Sequence, residues 1–140
     1  MSRKMIPDVV RRQRVAFARE QATVREVAKL LREHNVGAVP IVEDGVLKGI
    51  LTVNDMTYRV VAEGRDPDKT SAREVMTPDP DSVSPDTTAI DALRLMQDGG
   101  YRHLPVVDGK CVLCVVSRRD FFGVEKARLD DETALWERIA

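Results

Sequence analysis

Cysteine is scarce: Cys111 and Cys114 are the two present among 140 residues, too few for a disulfide framework. Aromatic residues make up 4% of the chain, which argues against a stacking platform for single-stranded nucleic acid. No apolar run approaches the roughly 18 to 20 residues of a membrane-spanning helix. The N-terminus lacks the apolar core of a secretory signal, so the expected compartment is the cytoplasm. Neither sign of charge dominates, with 22 Lys and Arg against 23 Asp and Glu and a formal net charge of -1. There is thus no global electrostatic case for nucleic acid or an anionic membrane. Arg11, Arg12 and Arg14 form a local basic run of the kind usually found on a solvated face or tail. Catalytic signatures are missing as well. There is no Gly-rich phosphate loop and no HExxH, and His103 has no serine or cysteine nucleophile with a third orienting group. Cys111 and Cys114 have C-x-x-C spacing, but residues three apart on a strand face opposite ways. A buried free cysteine then acts as a small apolar residue. The expectation is a chain that is not an enzyme and holds no metal.

What is present suffices for a fold. Hydrophobic residues at 43% can build a core, and charged residues at 32% give a polar surface, so disorder is not the default. Residues 1–14 are a polar, basic lead, and Val15 to Ala18 could be a short strand. Thr23 stands at the N-cap of a helix with Val24, Val27, Ala28, Leu30 and Leu31 on one stripe, and Glu26 completes a capping box. Asn35 and Gly37 should end it. Ala38 to Val42 is a short apolar run, hence a strand, whose Pro40 belongs at an edge. Glu43-Asp44-Gly45 is a hairpin turn and Val46 to Leu51 the returning strand. Val53 to Ala62 then reads as a helix stopped by Gly64 and Pro67.

The same pattern recurs 65 residues later. Thr23 maps onto Thr88, Leu30 onto Leu95, Pro40 onto Pro105, Val42 onto Val107, Thr52 onto Ser117 and Asp55 onto Asp120, with no gap in between. The expected organisation is a lead at 1–14, a first repeat at 15–63, a linker at 64–75, a second repeat at 76–125 and a helical tail at 126–140. In that tail Leu135, Trp136 and Ile139 share a face. The fold class is α/β of the α+β type, with two β-α-β-β-α units packed about a pseudo-twofold axis and leaving two clefts.

Each unit presents the same corner: Gly49-Ile50-Leu51-Thr52-Val53-Asn54-Asp55 in the first, Cys114-Val115-Val116-Ser117-Arg118-Arg119-Asp120 in the second. A strand ending in a hydroxyl residue at a helix start offers N–H groups to phosphate. A carboxylate one turn on accepts two hydrogen bonds, matching the adjacent hydroxyls of a ribose. The same pattern is also the signature of a plain helix cap. A duplicated unit duplicates its caps, so the spacing leaves both readings open.

Gly37 to Val42, Gly49 to Asp55, Arg102 to Val107 and Ser117 to Asp120, with Met76-Thr77-Pro78 leading into the second copy, resemble a tandem pair of CBS domains over roughly residues 6 to 125. The family takes its name from cystathionine β-synthase, and its pair is often called a Bateman module. The resemblance implies a non-catalytic sensor of energy or metabolite state that needs no cofactor and takes an adenosine-containing ligand: AMP, ADP, ATP or S-adenosylmethionine. It implies ribose contacts from Asp55 and Asp120 and phosphate or ribose contacts near Thr52 and Ser117. The backbone of Ala38, Val39 and Pro40, and of His103, Leu104 and Pro105, would border the adenine or phosphate, and Thr77 would reach the Asp55 cleft. Arg102, His103, Arg118 and Arg119 place cations near the Ser117 corner, whereas the Thr52 corner has Asn54 and no adjacent base. The Asp120 cleft is therefore expected to take the more highly phosphorylated ligand. Cys114 stands where the family commonly has glycine, and the first copy has Met5-Ile6-Pro7 in place of Met-Thr-Pro. A homodimer and an unidentified regulated protein are the expected partners, and the alternative is a ligand-free dimerisation or scaffold module.

Overall fold

The computed structural model describes residues 16–121. The lead, its Met5-Ile6-Pro7 segment, Val15 and the helical tail expected at 126–140 lie outside the described residues. Helix α1 spans Val24–His34 and opens with a reciprocal capping box. The Thr23 hydroxyl accepts from Glu26 N at 3.1 Å, and the Glu26 carboxylate accepts from Thr23 N at 3.1 Å. Its buried stripe is Val24, Val27 and Leu31, and Asn35 closes it in the left-handed region (φ 50°, ψ 50°), a conformation asparagine tolerates well.

Strands β1 (Ala38–Glu43) and β2 (Val46–Thr52) form an antiparallel hairpin. It turns through Asp44 and Gly45, both at positive φ, as a tight primed turn requires. Pro40 directs its carbonyl to Ala18 N at 3.1 Å, on the side of β1 away from β2. Its missing N–H faces that same side, so no β1–β2 bond is lost. Of the stretch at Val15 to Ala18 read as a strand, the described residues form one bridge, Ala18 to Ile41.

Helix α2 (Val53–Met56) follows at once and widens into a π-helical turn over Thr57–Val61, where a single α-helix through Ala62 was expected. Ala62 N donates to Thr57 O at 2.9 Å, five residues back. On this stretch the Arg59 guanidinium donates to Val75 O at 3.1 Å and Met76 O at 2.9 Å, tying the segment to the next part of the chain. The linker expected at 64–75 carries a short helix, α3 (Ala72–Val75), and Ala72, Val75 and Met76 are buried in the first repeat's core. Strand β3 (Thr77–Pro78) then pairs with β2, giving the order β1-β2-β3.

Among the described residues the second repeat holds α4 (Ala89–Gly99), the hairpin β4 (His103–Asp108) and β5 (Cys111–Ser117), and a 3-10 turn at Arg118–Asp120. The 65-residue shift holds at the level of single bonds. Val83 bridges Val106 as Ala18 bridges Ile41. The strands bulge at Val106/Val107 as at Ile41/Val42. Arg118 N donates to Arg102 O as Val53 N donates to Gly37 O, both at 3.0 Å. Each repeat buries its own apolar cluster, around Val27, Ile41 and Leu51 in the first and Leu93, Leu104 and Val116 in the second. The repeats meet where β5 lies against β1 and β2.

Candidate functional site: two reciprocal clefts

Both corners are capping boxes. At the first, Asp55 N donates to Thr52 Oγ1 at 3.1 Å and Thr52 N donates to Asp55 Oδ2 at 3.0 Å. At the second, Ser117 N donates to Asp120 Oδ2 at 2.7 Å and Arg119 N to Ser117 Oγ at 3.4 Å. This corrects one expectation from the sequence. Val53 N and Arg118 N are taken by Gly37 O and Arg102 O, and Asp55 N and Arg119 N by the corner hydroxyls. Instead of a row of free N–H groups, each corner offers a hydroxyl that can still donate and a carboxylate with lone pairs to spare. Asp55 Oδ1 accepts from Thr77 Oγ1 at 3.4 Å, while Asp120 Oδ1 takes no hydrogen bond from the described residues.

Each corner opens on a cleft walled by the other repeat. The first cleft, of about 370 Å³, gathers Thr52, Asn54, Asp55 and Thr77 from one side and Gly100, Tyr101, Arg102 and His103 from the other, with Asp81 at its margin. The second, of about 310 Å³, gathers Ser117, Arg119 and Asp120 with His34, Asn35, Val36, Gly37, Ala38 and Pro40. Both volumes fall in the range of small-molecule sites. The facing walls are images of one another, since Gly100 to His103 lies 65 residues after Asn35 to Ala38.

Not every residue named from the sequence reaches a cleft. Val39 and Leu104 are fully buried core residues, and Pro105 and Arg118 line neither cleft. The distribution of cations also differs from expectation. Arg102 lines the Asp55 cleft although its carbonyl is bound at the Ser117 corner, because the segment before β4 passes between the two. The Thr52 corner does have an adjacent base: Arg59 Nε lies 3.8 Å from Asp55 Oδ1. Sequence reasoning missed Tyr101, Asp81, Gly37, His34 and Asn35. The signal for the wall residues was the repeat itself, since twofold packing brings each helix end to the opposite corner.

Local environment sets the ionisation. Burial, and after it the Arg119 guanidinium, pulls the His103 imidazole below the ordinary histidine range, with Asp120 opposing and Arg102 adding to the effect. Burial, with Asp120 nearby, pushes the Cys114 thiol up to about 11. Tyr101 donates to Asp81 Oδ2 at 2.7 Å, and its phenol is raised by burial and then by that bond. Among the described residues no three His, Cys, Asp or Glu side chains gather as metal ligands, and no helix is long and apolar enough to cross a membrane.

The CBS domain family matches this sequence twice, over residues 5–62 and 72–126. The chain belongs to the CBS domain family. It is 42% identical over 106 residues to the CBS domain-containing protein YhcV of Bacillus subtilis, covering 76% of this chain and 75% of that one. It is 39% identical over 104 residues to the CBS domain-containing protein CBSCBSPB3 of Arabidopsis thaliana, covering 73% of this chain but 19% of that much longer protein. The solved CBS-domain protein ATU1752 from Agrobacterium tumefaciens superposes with a TM-score of 0.75 at 28% identity, covering 89% of this chain and 98% of that one. The molecule is thus a CBS pair, a regulatory type of module, with two repeats and two reciprocal clefts.

Proposed function

We propose that this chain is a non-catalytic CBS module that binds adenosine-containing nucleotides, AMP, ADP, ATP or S-adenosylmethionine, between its repeats. In this reading it reports energy or metabolite state to a regulated protein. The supporting observation is the construction of both clefts: a half-buried carboxylate and a hydroxyl from one repeat face a wall from the other. The diol of a ribose fits the spare acceptor positions of Asp55 and Asp120, with Thr52 and Ser117 beside them and Thr77 within reach of Asp55. Ala38, Pro40 and His103 border the ligand. The Asp120 cleft takes the more phosphorylated ligand, because Asp81 of the first cleft is replaced by Ala16 in the second and Asn54 by Arg119. A ligand acts on a partner by favouring one relative arrangement of the repeats over another. No cofactor is needed, the working unit is a homodimer, the compartment is the cytoplasm, and neither nucleic acid nor membrane is a partner.

A second reading, a ligand-free dimerisation scaffold, is favoured by the capping bonds, which give the corner residues a purely structural task. Thermal denaturation with each nucleotide separates the two. A ligand that binds the folded chain raises the midpoint as its concentration rises, and Asp120→Ala should reduce that rise while costing on the order of 1 kcal/mol by removing the N3 half of the capping box. An Asp120→Ala variant that loses stability, in a protein whose midpoint no nucleotide moves, would support the scaffold.

A further inference from the structure

His103 lines both clefts, and the wall it forms is built to hold an imidazole. It sits across the repeat interface from Gly37, which also lines both clefts, and a Cβ at position 37 would lie 2.8 Å from His103 Nε2. The glycine therefore lets the ring lie directly on the backbone. The ring has no equivalent in the first repeat, where the counterpart of His103 is Ala38. A neutral imidazole has one donor and one acceptor nitrogen, while an imidazolium has two donors.

We propose that His103 is a ligand contact shared by the two clefts, so that an anionic ligand in one tightens anion binding in the other through the same ring. This rests on the nucleotide reading above. The charged and titratable groups around the ring are Arg102 on its own strand lead, Arg119, Asp120 and Cys114 from the β5 side, His34 at the end of α1, and Asp55 and Asp81 across the first cleft. Burial and the two arginines hold the free ring below the ordinary histidine range. Phosphate in either cleft favours the imidazolium, which then presents its second donor to the other cleft. Binding is accordingly linked to proton uptake and strengthens as pH falls through the histidine range.

The test is calorimetric titration of the whole chain with ATP, in buffers of different ionisation enthalpy, alongside imidazole NMR of His103 with ATP and with inorganic pyrophosphate. The expected result is uptake of a proton on binding, an upward shift of the His103 titration, and mutual tightening of the two sites. The proton uptake and the mutual tightening should both disappear in His103→Gln. Gly37→Ala, which forces the ring away while keeping it, should uncouple the sites. Nucleotide binding with the same proton uptake in His103→Gln as in the native chain would overturn the inference and leave the nucleotide reading standing. Pyrophosphate raising the His103 titration while no adenosine compound binds would do the reverse. A ring that responds to neither ATP nor pyrophosphate would overturn the inference.

Discussion

Gly49 shows how one residue positions a site. A Cβ there would run into Met76 Sδ and stand 2.8 Å from Thr77 O, so glycine lets β3 close on β2 and carry Thr77 to Asp55. Gly49→Val should cost about 1 to 3 kcal/mol by overpacking, read as a lower urea midpoint, and should weaken nucleotide binding at the Asp55 cleft. Cys114 holds the same place in the second repeat and is buried, whereas Cys111 is exposed. Thiol labelling near neutral pH should modify Cys111 quickly and leave Cys114 untouched. The fold raises the Cys114 thiol to about 11, above its unfolded value of about 8.5. The stability this gives is complete below the unfolded value and is lost as pH rises towards 11. The urea midpoint should therefore fall more steeply over that range in the native chain than in Cys114→Ala. The role of Gly49 was legible as a family glycine, but its reason, the sulfur of Met76, comes from a pairing between segments far apart in sequence.

Among the elements, α1 was readable almost to the residue, because its cap, stripe and stop are all local. Thr23→Ala should cost about 1 kcal/mol of stability, measured by urea denaturation, and leave both clefts intact. The hairpins were equally plain, since Pro40 and Pro105 each fall on the edge side of their strands. What local signals did not show is the π-helical turn at Thr57–Val61 and the absorption of residues 72–76 into the first core. Both follow from tertiary demands. Arg59 must meet the carbonyls of Val75 and Met76, and those apolar side chains fill space that α1 and the hairpin leave open.

At the scale of the molecule, the ungapped repeat carried the architecture and the corner residues. It did not by itself say which cleft Arg102 serves, because a side chain at the junction of two repeats can face either way. The two apolar clusters, one in each repeat, make a further expectation. Leu51→Ala and Leu93→Ala should each cost about 2 to 5 kcal/mol. Because β5 packs on β1 and β2, each variant should lower a single shared unfolding transition, seen by calorimetry. Isothermal titration with AMP, ATP and S-adenosylmethionine asks whether the inter-repeat clefts take adenosine-containing ligands. Saturable binding of at least one of them is expected, weakened by Asp55→Ala or Asp120→Ala in a chain that still folds. No heat of binding from any of the three, even at ligand concentrations on the order of millimolar, would rule out an adenosine site in the clefts.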